Sequence, residues 1–125
     1  MNAENTREVR ADTEIIDGVA VVHLKGDLGH TTRDVLQATF SRLIDHEAHS
    51  ALIVDITQVR YLASYAVAET GYYYKMLNDR GGYLALVLNN DQLLKPFRLA
   101  GLCDVIPIFH SIDEALAAMR AQGIG

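Results

Sequence analysis

Two nearly continuous apolar runs, Ala51-Leu52-Ile53-Val54-Asp55-Ile56 and Tyr83-Leu84-Ala85-Leu86-Val87-Leu88, limit the folds open to this chain more than any other feature. A strand with one wet face alternates apolar and polar residues, and these runs do not, so each is expected to be a parallel strand covered on both faces. Parallel neighbours need crossover connections, and segments of helical period lie between the runs to supply them. A third run, Val19-Ala20-Val21-Val22-His23-Leu24, follows Glu14-Ile15-Ile16 with only Asp17-Gly18 between them. That pair tolerates the positive φ angles of a two-residue turn, so the domain is expected to open with an antiparallel hairpin. It should span residues 13–122, behind a frayed lead-in, residues 1–12, that has no sustained period.

Gly26-Asp27-Leu28-Gly29-His30 is expected to end the second strand, with Thr31 or Thr32 capping a helix from Thr32 to about Asp45 whose apolar positions are Val35, Leu36, Phe40, Leu43 and Ile44. After a loop from Thr57 to Ala63, Ser64 can cap a second helix that runs to about Arg80 and stops at Gly81-Gly82. If its sheet face is Val67, Thr70 or Gly71, Tyr74 and Leu77, then Tyr65, Glu69, Tyr72 and Met76 form an outer stripe bordered by Tyr73. Asn89-Asn90-Asp91 opens a short helical region that Pro96 should interrupt, because proline lacks an amide donor. Val105 to Phe109 reads as a short last strand, and Ser111-Ile112-Asp113-Glu114 as a capping box before a helix over Ala115 to Met119. The order β-β-α-β-α-β-α-β-α describes one α/β domain with a mixed sheet, right-handed crossovers and about four helices.

The charge balance narrows the function. Eleven basic against sixteen acidic residues leave a net charge of -5, so no basic field exists to attract nucleic acid or an anionic membrane surface. The longest apolar stretches are about half the ~20 residues of a membrane span, and Met1 to Thr13 is polar rather than signal-like. The lone Cys103 cannot close an internal disulfide, which fits a reducing cytoplasm. Leu62-Ala63-Ser64-Tyr65-Ala66 lacks both glycines of a nucleophile elbow. His46-Glu47-Ala48-His49 falls one residue short of the two-histidine helical zinc spacing. With no phosphate loop or cysteine cluster either, no enzyme, metal site or cofactor is expected.

Gly26-Asp27-Leu28, then Leu52-Ile53-Val54-Asp55-Ile56, then Val59-Arg60-Tyr61-Leu62-Ala63-Ser64, then Gly81-Gly82-Tyr83-Leu84 occur in the order of the motifs of STAS domains. The run from Leu99-Ala100-Gly101-Leu102-Cys103-Asp104 through Ser111-Ile112-Asp113-Glu114 also resembles the ending of that family. From Thr13 to Met119 the chain thus resembles the bacterial anti-sigma-factor antagonists.

The resemblance implies a regulatory module of signal transduction and transcription control that works by partner switching. It would bind an anti-sigma factor, often a serine kinase, until one serine is phosphorylated. Ser64 occupies the phosphoacceptor position. Around it the family's aspartate, second hydroxyl residue and glycine are replaced by Ala63, Tyr65 and Ala66, and a further family aspartate by Gly29. The expected partner-binding residues are Gly29, His30, Ala63, Ser64, Tyr65, Glu69, Tyr72, Tyr73 and Met76. A non-phosphorylated scaffold or accessory subunit of a signalling or transport complex is the alternative within the fold. A small-ligand sensor using the loop edge of Gly29, Ser64 and Asn89 is the alternative from a different functional class. Self-association into a homodimer also stays open.

Overall fold

A computed structural model describes residues 10–29 and 32–124. The lead-in through residue 9, His30 and Thr31 lie outside the described residues. Strands β1 (Arg10–Ile16) and β2 (Val19–Leu28) form the expected hairpin, with Asp17 and Gly18 at φ 54° and 82° in the turn. Helix α1 (Arg33–Ser41) continues into one π-helical turn (Arg42–His46), followed by β3 (Ala51–Leu62), α2 (Ser64–Asp79), β4 (Tyr83–Val87), α3 (Asp91–Leu99), β5 (Ile108–Phe109) and α4 (Ile112–Ala121). The sheet order is β1-β2-β3-β4-β5, with β1 antiparallel to β2 and every later pair parallel. This is the mixed sheet that the hairpin and the alternation imply.

Sheet alternation divides the core in two. Ala20, Val22, Leu24, Leu52, Val54, Leu84 and Leu86 pack under α1, α2 and α3. Val19, Val21, Ile53, Ala85 and Val87 face the other way, onto Ala115, Leu116 and Met119 of α4. An ion pair from Arg120 to Asp17 ties α4 back to the hairpin turn. One short helix cannot cover a five-stranded sheet, so the far end of this second face, around His23 and Asp55, is left to polar side chains.

Several elements differ from the sequence expectation, each for a local reason. β1 begins at Arg10 rather than Thr13, because Arg10, Ala11 and Asp12 pair with Lys25, Leu24 and His23. β2 does not stop at Gly26 and β3 does not stop at Ile56. The two run on together to Leu28 and Leu62, with register shifts after His23 and after Gly26, where Gly26 takes φ 97°. Bulges of this kind absorb an extra residue while keeping the pairing. The helix α3 passes through Pro96 uninterrupted; the ring removes one donor, and the nine-residue helix tolerates it. The last strand shrinks to Ile108–Phe109, since Leu102 to Ile106 is folded by bonds from the Val105 and Ile106 amides to the Leu102 carbonyl. Ser111 does cap α4, accepting from the Glu114 amide at 3.1 Å, but the Glu114 carboxylate reaches the His110 amide instead of closing the box on Ser111.

Candidate functional site

The carboxyl ends of β2 and β3 meet at the start of α2. There the Ala63 amide donates to the Leu28 carbonyl at 2.9 Å, and the Gly29 carbonyl accepts from both the amide and the hydroxyl of Thr32. Thr32 stands at the N-cap of α1, although its hydroxyl bonds back to Gly29 instead of capping. Ala63 is the N-cap of α2 and Ser64 the first helical residue, with no side-chain cap bond, so the expectation that Ser64 caps the helix is corrected. Ser64 is itself exposed at the helix start.

Tyr65 and Tyr73 are not on an outer stripe. Tyr65 is 5% exposed; its hydroxyl lies 2.7 Å from that of Thr32, and the Arg33 guanidinium sits 5.0 Å over its ring. Because the Thr32 hydroxyl donates to Gly29, the proton in the Tyr65–Thr32 bond comes from Tyr65. Tyr73 is buried and stacks on Phe40 of α1 with centroids 4.7 Å apart. Burial, aided by the nearby charges of Glu69, Tyr72 and Asp45, pushes the Tyr73 hydroxyl above its ordinary range. Met76 is half-buried against the core, and Glu69 turns toward α1 and accepts from Gln37 at 3.1 Å. Tyr74, expected to face the sheet, is only half-buried. The helix is thus rotated so that Ser64, Ala68, Tyr72 and Lys75 point outward.

That outward face forms one wall of a groove of about 720 Å³. Ser64, Ala68, Gly71, Tyr72 and Lys75 line it from α2, and Pro96, Leu99, Ala100 and Leu102 from α3 and the turn after it. The floor closes at Gly71, where an added Cβ would stand 3.1 Å from the Leu102 side chain. Leu99 is 77% exposed and Tyr72 59%, which gives the groove its apolar rim. The α3 wall was not foreseen. Its signal was that Leu99 falls off the Leu93–Phe97 stripe, which packs into the core.

The loop-edge grouping of Gly29, Ser64 and Asn89 is divided. Ser64 ends the apolar groove, whereas Asn89 lines a polar cleft of about 370 Å³ with Asp55, Thr57, His110 and Ser111. A Cβ on Gly29 would meet nothing within 4 Å. Among the described residues no group of three or more His, Cys, Asp or Glu side chains is placed to hold a metal ion, and no helix is long and apolar enough to cross a membrane.

Residues 10–115 match the STAS domain family model. The anti-sigma F factor antagonist of Paenibacillus polymyxa is 24% identical over 103 residues, covering 82% of this chain and 88% of that protein. Among solved structures, an anti-sigma factor antagonist from Mycobacterium paratuberculosis superposes with a TM-score of 0.83 at 25% identity, covering 91% of this chain and 96% of that one. The unphosphorylated anti-sigma factor antagonist SpoIIAA gives 0.76 at 21% identity, over 93% and 99% of the respective chains, a likeness of fold.

Proposed function

The chain belongs to the STAS domain family, and from that premise we propose that it is a regulatory binding protein of the anti-sigma-factor-antagonist type, docking an anti-sigma factor in the groove between α2 and α3. The observation that carries this reading is the groove itself: an apolar cleft, rimmed by Tyr72 and Leu99, that runs from the exposed Ser64 along the outer face of α2. Tyrosine and leucine at a rim expose apolar area that a partner removes from water, and an aromatic seated in such a contact anchors much of the affinity. Of the residues assigned to partner binding from the sequence, Ser64 and Tyr72 line the groove. Gly29 and Ala63 lie at the approach to α2, and Glu69 faces α1.

The test uses the whole chain as bait in a lysate of the source bacterium, followed by mass spectrometry. The expected result is recovery of an ATP-binding anti-sigma factor, with titration calorimetry on the purified pair showing at least tenfold weaker binding for Tyr72→Ala. Recovery of transport ATPase subunits or other STAS proteins instead, or undiminished affinity in Tyr72→Ala, would overturn it.

One observation favours a version of this function without a phosphoswitch. The residue after Ser64, where the family carries a second hydroxyl side chain, is the buried Tyr65, and Ala63 brings no carboxylate to the helix start. Positioning supplies much of phosphoryl-transfer catalysis. The native chain is therefore expected to accept labelled phosphate from an anti-sigma kinase slowly, Ser64→Ala not at all, and Ala63→Asp faster than native. Rapid stoichiometric labelling of the native chain that disappears in Ser64→Ala would restore the ordinary switch.

A further inference from the structure

On the face of the sheet opposite the groove, His23 of β2 stands between two carboxylates from two neighbouring strands. Its Nδ1 is 2.7 Å from Oδ2 of Asp55 on β3, and its Nε2 is 2.6 Å from Oε2 of Glu14 on β1. A carboxylate offers only acceptors, so both contacts are hydrogen bonds only when both ring nitrogens carry hydrogen, that is, when the ring is the imidazolium. We propose that Glu14, His23 and Asp55 form a proton-dependent clamp across the first three strands, tightening β1 on the sheet while the ring holds both protons and loosening it when one is lost.

The β3 end of the clamp is built in advance. Asp55 is 6% exposed, and its Oδ1 accepts from the Thr57 amide at 2.9 Å and the Thr57 hydroxyl at 2.7 Å, which leaves Oδ2 directed at His23. The register shift after His23 coincides with that turn of Thr57 back onto Asp55. The β1 end is different: Glu14 is about half exposed on an edge strand paired on one side only. Losing the proton therefore leaves Asp55 in place and releases Glu14. The cleft beside the ring, of about 430 Å³, is lined by Asp12, Lys25, Asp55, Thr57 and Gln58, so Asp12 adds a third nearby carboxylate and Lys25 the opposing cation; Arg10 pairs with Lys25 one row along. Burial by itself would lower the His23 pKa, but the hydrogen bonds to Asp55 and then Glu14, with their charges, outweigh it and hold it above the ordinary 6.5. For a raised pKa the stabilisation is complete below about 6.5 and is lost as pH rises through the folded-state value.

Nitrogen-detected NMR of the whole chain tests this. The expected result is that His23 carries both ring protons at about pH 6.5, and that amide protection over residues 10–16, corrected for intrinsic exchange, falls about tenfold from pH 6 to pH 9. In His23→Gln the fall should vanish, and in Glu14→Gln, a change at an exposed side chain, it should shrink while the His23 titration moves toward pH 6.5. A singly protonated His23 ring at pH 6.5, no fall in the native chain, or an equal fall in His23→Gln would each overturn the clamp.

Discussion

If the groove docks an anti-sigma factor as proposed, replacing Ala68 by Arg is expected to weaken that complex by about a hundredfold or more, while the thermal midpoint of the free domain barely moves. Ala68 is exposed on the outward face of α2 and lines the groove midway between Ser64 and Lys75. Arginine is nearly as good a helix former as alanine, and the free groove leaves its side chain in water, so the fold loses little. Docking changes that balance, because an apolar partner surface would enclose a guanidinium with no carboxylate on the α2 or α3 wall to pair it. A penalty of about 3 kcal/mol corresponds to roughly a hundredfold in Kd. Calorimetry with Ala68→Arg and, as a control away from the groove, Lys25→Ala separates the two outcomes. Native affinity in Ala68→Arg would place the interface elsewhere on the domain.

The hairpin, β3 and β4 were legible because each rests on a local rule. Asp17-Gly18 accepts two positive φ angles, and runs such as Leu52-Ile53-Val54 have no polar position to turn toward water. The paired extension of β2 and β3 was hidden because Gly26 looks like a strand breaker on its own and the polar Thr57-Gln58 ends the apolar run of β3. Only the partner strand shows that a bulge can accommodate them. The rotation of α2 was hidden for the opposite reason. Tyr65, Ala66, Val67, Ala68, Tyr72, Tyr73, Tyr74, Met76 and Leu77 leave almost no polar face to orient the helix, so neighbours decide. Phe40 takes Tyr73, Thr32 takes Tyr65, and Leu102 closes on Gly71, which turns Tyr72 outward. Of the candidate site, the position of Ser64 at the head of α2 could be read from the family motif. The opposing wall could not, since it depends on where α3 ends in space.

That rotation makes a sharp claim about two adjacent tyrosines and the phenylalanine beneath one of them. Phe40 is fully buried in the principal core and stacks on Tyr73, while Tyr73 meets Tyr72 edge to face at 5.1 Å. Phe40→Ala removes a whole ring from a site whose surroundings are strands and helices that cannot collapse into the space, so it is expected to cost about 3–5 kcal/mol. Domains of this size hold roughly 5–15 kcal/mol in total, so the thermal midpoint should fall by about 10 °C or more. Tyr73→Ala should approach that loss. Tyr72→Ala should cost less than about 1 kcal/mol, because its ring lies mostly in water and surface substitutions are small. The Phe40→Ala, Tyr73→Ala double mutant should then fall short of the sum of the two single losses by about 0.5–1.5 kcal/mol, the worth of the stacked pair. Chemical and thermal denaturation of the four variants together measure all of these quantities. Equal losses at Tyr72 and Tyr73, or additive losses at Phe40 and Tyr73, would mean that α2 presents a different face to α1, and the groove assigned to its outer side would have to be redrawn with it.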